Sequence, residues 1–491
     1  MDARAKKLVL IAALAVSGEG CRLGPDYQRP DVPVPETWRE VETSEQQSLA
    51  NTPWWELFQD PVLVNLIQTA LADNQDLKIA VERIEEARAR YGFQKADLYP
   101  KVDVAASAGA VGVSKNGIPG LPASVDTSDT LYAVSGRVFW ELDFFGRVRR
   151  ATEAELALFY ASDQSRRAVV LSLVASVAQA YVELRELDLR VEISRRTLES
   201  RVAYVGLVKD RFEGGVTSEL DLHQAEAEMH RTESILRDYE QQLSQKEHEL
   251  SALLGHNPGD VQRGKSLEEL AMPPAVPAGL PSALLERRPD VREAEDVLAS
   301  ANARIGEAKA LLYPSISLTG AFGYESTELG DLFESASQAW SISANLLQPI
   351  FNAGQNQRRV EVAESQMRQA LYGYERSVLL AFREVEDSLV SVRQSKLRRG
   401  SEGARVDAER KVLDLAETRY KGGVAAYLEV LDAQRSLFDA EISETGAVRD
   451  QFVALIQLYK ALGGGWPQSP EAQPVEAPAP DPAPEQAAAA Q

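Results

Sequence analysis

The chain carries one six-residue pattern twice, as Arg211-Phe212-Glu213-Gly214-Gly215-Val216 and again as Arg419-Tyr420-Lys421-Gly422-Gly423-Val424. The displacement is 419 − 211 = 208 residues, and the same displacement relates Gly146 to Gly354. A repeat of this length far exceeds the roughly 20–50 residues of a solenoid unit. The sequence therefore predicts an internal two-fold repeat, with a first half at 54–270 and a second at 271–465.

Each half begins with a helical segment rich in Ala, Glu, Arg and Leu, Pro61 to Ala96 in the first and Pro289 to Leu311 in the second. Both segments end near a Tyr-Pro pair, because proline removes a backbone donor and clashes with the preceding turn. After each proline the hydrophobic period changes to two, which is typical of β-strands.

Two alternating runs follow in each half, which predicts β-hairpins at about 101–145 and 315–352. One face of these strands is apolar and the other is mostly small and polar, as in the wall of an outer-membrane barrel. A soluble β-sandwich remains the alternative on this pattern alone. The aromatic side chains of the apolar face are Trp140, Phe322, Tyr324 and Trp340.

Four strands are too few for a closed membrane barrel, which needs at least about 8. Three copies of the chain would supply twelve strands, enough for a lumen wider than side chains can fill. The strand count therefore favours a trimer.

Beyond Gly146 the chain contains no helix breaker from Arg147 to Phe212, which predicts a helix about 100 Å long at ~1.5 Å per residue. The equivalent helix of the second half runs from Gln355 to Tyr420. Each ends at Gly-Gly-Val, where glycine supplies the left-handed conformation of a helix terminus, and a returning helix follows. Apolar residues step mostly by threes and fours, as in the seam of a coiled coil, at Leu173, Val177, Ala180, Leu184, Leu187, Val191, Leu198, Val202 and Val205.

The two ends lie outside this repeat. Residues 1–20 resemble an export signal, with a basic start and an apolar stretch from Leu8 to Val16. The single cysteine, Cys21, follows at once and is predicted to be a lipidation site, although Gly18 and Glu19 depart from the usual lipobox. Residues 21–53 read as an extended, lipid-anchored tether and residues 466–491 as a disordered Pro/Ala-rich tail.

Composition excludes several classes of function. The chain has 53 Lys and Arg against 74 Asp and Glu, a formal net charge of −21, which argues against a nucleic-acid binder. Four His and one Cys leave no basis for a Cys-cluster metal site or a disulfide framework. No run approaches the ~18 apolar residues of a spanning helix.

Several motifs together resemble the TolC family of outer-membrane efflux channels, most closely its NodT-type lipoprotein branch. The resemblance covers the chain from Cys21 to Trp466. The matching motifs are Gly24-Pro25-Asp26-Tyr27, Trp54-Trp55, Leu284-Leu285-Glu286-Arg287-Arg288-Pro289-Asp290-Val291-Arg292, and Leu431-Asp432-Ala433-Gln434-Arg435-Ser436-Leu437.

The resemblance implies an α+β membrane protein whose trimer forms a 12-stranded barrel in the outer membrane of a Gram-negative bacterium. Long α-helices would continue the barrel through the periplasm. It implies docking to a periplasmic adaptor and to an inner-membrane pump of the resistance-nodulation-division class. The chain would then be a passive exit duct for drugs or other small molecules, neither an enzyme nor a cofactor binder.

The same resemblance places a periplasmic gate at Asp432 and Arg435, with Glu429 one turn away on the same face. In the first half, Gln224 and Ala227 stand opposite Asp432 and Arg435, so the charged pair occurs only once. The alternative is a surface ion pair between the two residues, which would contribute only a few tenths of a kcal/mol.

The resemblance also implies that the tips facing the adaptor lie at Gly214, Gly215, Gly422 and Gly423. Their alternative role is that of ordinary helix caps, and both roles are compatible.

Three other functions compete with the efflux duct. A metal enzyme has little support, because His223 and His230 can share a helix face but no third ligand is evident. A periplasm-spanning coiled-coil scaffold without a pore remains possible on the helices alone. The third is an outer-membrane duct of a type I polypeptide secretion system.

Overall fold

The computed structural model describes residues 21–39, 59–112, 128–270, 279 and 281–464. The predicted export signal, residues 40–53 of the tether and the tail therefore lie outside the described residues. The chain divides into two compact units. Unit 1 comprises Met1–Pro33, Gln75–Val170 and Pro289–Ala381, and unit 2 comprises Val34–Asn74, Leu171–Arg288 and Phe382–Gln491.

Helices and strands follow one another in a fixed order. The first half contains α1 (Pro61–Asp73), α2 (Gln75–Ala96), β1 (Lys101–Gly112), β2 (Ser128–Leu142), α3 (Arg147–Glu213) and α4 (Glu219–Leu253). The second half contains α5 (Pro281–Arg287), α6 (Pro289–Ala310), β3 (Ser315–Ser326), β4 (Gln338–Leu347), α7 (Gln355–Lys421) and α8 (Tyr427–Ala461).

The long helices confirm the sequence-based bounds. Helices α3 and α7 each contain 67 residues, and α4 and α8 each contain 35. The first helix segment differs from the prediction, because Asn74 adopts an extended ψ of 130° and divides it into α1 and α2. The Asn74 side chain donates to the carbonyl of Leu253, so a tertiary contact stabilises this break. The short α5 was also not predicted.

The strands form one antiparallel sheet in the order β1-β2-β3-β4. Directly paired residues point to the same face of a sheet. Phe322 pairs with Trp340, Tyr324 with Val134, and Trp140 with Leu318, which confirms the predicted apolar face. The opposite face pairs Asp103 with Arg137, and Thr319 with Ser343, and is largely polar. Phe139 is an exception on the polar face, where it pairs with Lys101 and Thr319.

The predicted apolar seam of α3 is wrong at Val202, which is exposed, while Leu173 to Val191 of the seam are buried. Leu198 and Val205 are partly buried, and Val205 packs against the apolar cluster near the tip. Tyr204 and Val208 are buried instead, in a cluster with Tyr427 of α8. The buried stripe shifts because neighbouring helices, rather than α3 alone, decide which side is covered.

Among the described residues, one helix, α3, is long and apolar enough to cross a membrane by length and composition. Of that stretch, 56% is buried within the chain, as in the core helix of a soluble protein. This stretch does not form an unbroken apolar run in the sequence, because Ser172, Ser176 and Gln179 interrupt the uncharged residues 168–182.

Candidate functional site

The predicted gate residues lie at the start of α8 in unit 2. Glu429 and Asp432 are exposed, and Arg435 is about half-buried. Glu429 forms an ion pair with Arg419 near the end of α7, at 3.5 Å. Two carboxylates are therefore accessible on the first turns of this helix.

Arg435 binds a buried carboxylate on another helix. Its Nε donates to Oε2 of Glu228 on α4 at 2.6 Å, and its Nη2 lies 2.5 Å from the same oxygen. The Glu228 side chain is only 4% exposed and also accepts a hydrogen bond from Nη1 of Arg201 on α3. One carboxylate thus joins α3, α4 and α8.

Burial and ion pairing act in opposite directions on the pKa values of Glu228 and Arg201, and a different one of the two dominates at each residue. Burial raises the pKa of Glu228, but hydrogen bonds from Arg435 and Arg201 outweigh it and hold the pKa below its ordinary value. Burial lowers the pKa of Arg201, despite the opposing hydrogen bond to Glu228. Removing the carboxylate would leave the Arg201 guanidinium buried without its counter-charge, which is costly.

The sequence-based alternative for Arg435, an ion pair with Asp432, is not the contact that the structure shows. Sequence reasoning also missed Glu228 and Arg201. One signal could have found them: their counterparts at a displacement of 208 are Ser436 and Glu409, so neither the carboxylate of Glu228 nor the positive charge of Arg201 recurs in the second half.

Three tyrosines pack beside this cluster, in the apolar core formed by α3, α4, α7 and α8. The rings of Tyr420 and Tyr427 lie 5.8 Å apart, and those of Tyr204 and Tyr427 lie 6.4 Å apart. The Arg211 guanidinium lies 4.6 Å from the centre of the Tyr420 ring. Burial raises the pKa of Tyr427 to about 12, so its hydroxyl stays neutral at physiological pH.

The predicted tips are glycine-terminated helix ends of the Schellman type. After α3, the Val216 N–H donates to the Arg211 carbonyl at 2.8 Å, and the Gly215 N–H donates to the Phe212 carbonyl at 2.9 Å. Gly215 has a φ of +71°, which other residues adopt only with strain.

The second tip repeats this geometry with Gly423 at a φ of +75°. Here Val424 donates to the Arg419 carbonyl and Gly423 to the Tyr420 carbonyl, both at 3.0 Å. Val216 and Val424 are largely exposed, so each turn presents an apolar side chain to its surroundings.

The described residues contain no group of three or more His, Cys, Asp or Glu that could hold a metal ion. His223 lies 2.9 Å from a carboxylate oxygen of Glu226, and His230 lies 3.4 Å from one of Glu233. These are local pairs on an exposed helix face. Cys21 is a free, exposed cysteine.

A sheet with one apolar face, carried by a chain of long paired helices, is typical of a channel protein of the outer membrane. The sequence profile described as "Outer membrane efflux protein" matches residues 66–256 and 280–464. The chain belongs to this family of outer membrane efflux proteins.

Relatives and solved structures agree with this family. The solvent efflux pump outer membrane protein SrpC of Pseudomonas putida is 36% identical over 475 residues, covering 94% of this chain and 98% of that protein. The probable outer membrane lipoprotein SilC of Salmonella typhimurium is 34% identical over 464 residues, covering 94% and 99%. The open MtrE outer membrane channel of Neisseria gonorrhoeae shares 33% identity at a TM-score of 0.82, covering 91% of this chain and 98% of that one.

The chain is thus an outer membrane duct of an efflux pump, located in the outer membrane and extending into the periplasm. The relatives named are channel proteins rather than enzymes.

Proposed function

We propose that three copies of this chain form one 12-stranded barrel, continued by their helices as a passive exit duct for drugs or other small molecules. The observation that carries this proposal is the four-stranded sheet with one apolar face, whose two outer strands are β1 and β4. Strand edges in a membrane need partners. Pairing β1 of one copy with β4 of the next closes the wall and directs the apolar face to lipid.

An apolar stripe on α7 supports the trimer. Val390, Leu397 and Leu415 are separated by 7 and 18 residues, which places them on one side of a helix. Val390 is 38% exposed, whereas Val182, its counterpart in α3, is only 2% exposed. Leu415 is 65% exposed and its counterpart Leu207 is 38% exposed, so α7 leaves the stripe more open than α3 does. A neighbouring copy is the occupant that we propose for the open stripe.

We expect Leu397→Arg together with Leu415→Arg to abolish the trimer. An arginine on a solvated helix face changes stability by less than about 0.5 kcal/mol, whereas one buried at an interface without a partner is strongly unfavourable. The measurement is the trimer-to-monomer ratio on unheated gels. Lys396→Glu, next to the stripe in sequence but about 100° away around the helix, is the control. An unchanged ratio in the double variant would contradict the covered stripe.

Asp432 and Arg435 are proposed as the periplasmic gate, with Glu429 beside them. Threefold symmetry would turn each exposed carboxylate into a ring, which is how channels gate and select. The bond from Arg435 to Glu228 holds the start of α8 against α4 and thereby favours the resting position of α8. Opening would require α8 to move away and break this contact.

The glycine tips are proposed to dock a periplasmic adaptor that connects the duct to an inner-membrane pump of the resistance-nodulation-division class. The exposed Val216 and Val424 provide an apolar contact at each tip. Glycine matters here for two reasons: its positive φ shapes the turn, and open space surrounds Gly215 and Gly423.

Leucine at both Gly215 and Gly423 is expected to reduce adaptor binding about tenfold or more, because it strains the turn and covers the tip. Binding to the purified adaptor, followed by surface plasmon resonance, is the measurement. Gly206→Leu is the matched control, since Gly206 lies within α3 and also faces open space. Equal loss in the control would indicate a general helix defect rather than a docking site.

Lipidation of Cys21 is proposed from its exposure and its position directly after the predicted export signal. SilC, a relative over nearly its whole length, is itself described as a probable outer membrane lipoprotein. The intact mass of the mature chain tests this proposal, because an acylated and a free cysteine differ by the mass of the lipid.

The test of the whole proposal is conductance. The purified protein in liposomes should form heat-sensitive trimers and pass ions, whereas a coiled-coil scaffold should do neither. A polypeptide secretion duct would also conduct, so export distinguishes it. Cells that express the chain with its adaptor and pump should gain resistance to small toxic compounds such as solvents, the cargo in the name of SrpC.

A further inference from the structure

The segment directly after Cys21 lies on unit 1 through several directed contacts. We call residues 22–29 the strap. The Leu23 N–H donates to the carbonyl of Phe145, just beyond the end of β2, at 3.4 Å. Asn302 on α6 donates its side-chain amide to the Pro25 carbonyl at 2.9 Å. Arg29 forms an ion pair with Glu295 at 2.9 Å.

One buried arginine makes three polar contacts to the strap, with the Leu23 carbonyl, the Gly24 carbonyl and the Asp26 carboxylate. The Arg150 side chain is 1% exposed, and its Nε donates to the Leu23 carbonyl at 3.0 Å. Its Nη2 donates to Oδ1 of Asp26 at 2.7 Å, while Nη1 binds Glu153 on the same helix at 2.9 Å. A planar guanidinium suits this forked arrangement, which a lysine cannot reproduce.

Glycines allow the strap to approach the helices closely. Gly24 has a φ of +89°, and a Cβ on it would lie 2.5 Å from the Cα of Gly306. A Cβ on Gly306 would lie 2.4 Å from the Leu23 carbonyl oxygen. Side chains at either position would therefore push the strap off α6.

The second half of the chain contains an equivalent arginine and glutamate that do not contact the strap. At a displacement of 208, Arg358 and Glu361 correspond to Arg150 and Glu153, and they too form an ion pair, at 2.6 Å. Arg358 is 78% exposed. The pair itself therefore does not require burial, and the burial of Arg150 reflects its contacts with the strap and with Gly306 on α6.

We propose that Arg150 positions the lipid anchor: it holds the strap so that a lipid on Cys21 enters the membrane beside the end of β2. This inference rests on the proposed lipidation of Cys21. The next fixed point along the chain is Trp38, whose indole donates to the Gly279 carbonyl. A loose chain from Trp38 would let Cys21 range over about 60 Å, whereas the seated strap keeps it within about 7 Å of Leu23.

The strap limits how far the lipid on Cys21 can move from the strands. A lipid tethered close to the strands raises their effective concentration at the membrane, and a long flexible tether loses most of that gain. The seated strap therefore promotes insertion of the strands, and it acts only through the lipid.

The first experiment tests whether Arg150 holds the strap. Trypsin cuts after Arg22 only when the strap detaches from the helices, because a protease needs several residues in extended form. In the purified full-length protein, Arg150→Ala should accelerate the appearance of a chain beginning at Leu23 about tenfold or more. Arg358→Ala, the matched control, should leave this rate unchanged. An equal rate in wild type and Arg150→Ala would overturn the proposal.

Two further variants keep the test valid if Arg150→Ala fails to fold. Asp26→Ala removes a strap carboxylate that is itself 86% exposed. Gly24→Ala introduces the Cβ that collides with Gly306. Both leave the helices intact and should accelerate the same cleavage. If neither does so, Arg150 does not hold the strap.

The second experiment tests whether the strap acts through the lipid. The measured quantity is the fraction of heat-sensitive trimer in outer membranes, for Asp26→Ala in the wild-type and Cys21→Ser backgrounds. We expect Asp26→Ala to lower this fraction in the wild-type background and to have no further effect in Cys21→Ser. Equal losses in both backgrounds would overturn the positioning role and leave a structural one. A mature chain without lipid by mass would instead contradict the proposed lipidation.

Discussion

Glu228→Ala is expected to lower the free energy of unfolding by about 3–5 kcal/mol, the largest effect of any single substitution considered. The Glu228 carboxylate compensates the charge of the buried Arg201 guanidinium. Without the carboxylate, the buried Arg201 guanidinium keeps its charge and loses the partner that compensates it. Arg435 loses its contact to α4 at the same time. Chemical denaturation followed by circular dichroism measures the change.

Glu226→Ala is the matched control for this prediction. Glu226 lies on the same helix but is exposed and pairs with His223, so its loss should change the free energy of unfolding by less than about 0.5 kcal/mol. Similar losses in the two variants would mean that the Glu228 cluster is not a stabilising ion pair.

The contribution of Glu228 to the free energy of unfolding should decrease as the pH falls. Because the folded-state pKa of Glu228 is lowered, its stabilisation is fully present above the ordinary value of 4.5 and is lost as the pH falls through the folded-state pKa. Glu228→Gln should lack this part of the acid-induced loss. A wild-type protein and a Glu228→Gln variant with parallel stability profiles below pH 4.5 would contradict the assignment.

Asp432→Ala combined with Arg435→Ala is expected to open the resting duct. Arg435 is more than a third exposed, so solvent screening limits its pair to about 1 kcal/mol or less per copy. Three symmetric copies would give up to 3 × 1, or about 3 kcal/mol, equivalent to a factor of roughly 100 in the ratio of closed to open channels. Planar-bilayer recordings should therefore show mean conductance higher by about tenfold or more.

The first half of the chain provides the control for gating. Gln224 corresponds to Asp432 and carries no charge, so Gln224→Ala should leave conductance at the wild-type level. The single variant Arg435→Ala breaks the contact to Glu228 from which this energy comes, so it should give most of the increase in conductance, and the additional loss of Asp432 should give the rest. Unchanged conductance in the double variant would contradict the gate.

Local sequence signals predicted the regular elements well. Gly-Gly-Val marked the ends of α3 and α7, because only a residue tolerant of positive φ completes that turn. Alternation predicted the apolar face of the sheet, since the period of a strand is two. Asn74 and Val202 were predicted less well. The break at Asn74 depends on a carbonyl 179 residues away, and the exposure of Val202 depends on which side of α3 its neighbours cover.

The sequence by itself therefore predicted the repeat and the family resemblance and determined the long helices and the strand faces, because these follow from short-range periodicity and motifs. Only the tertiary structure decided the contacts that join distant segments. Glu228 lies 207 residues from Arg435, and Arg150 lies 124 residues from Asp26. No local pattern specifies such pairs, because a buried charge is placed by the helices that enclose it rather than by its neighbours in sequence.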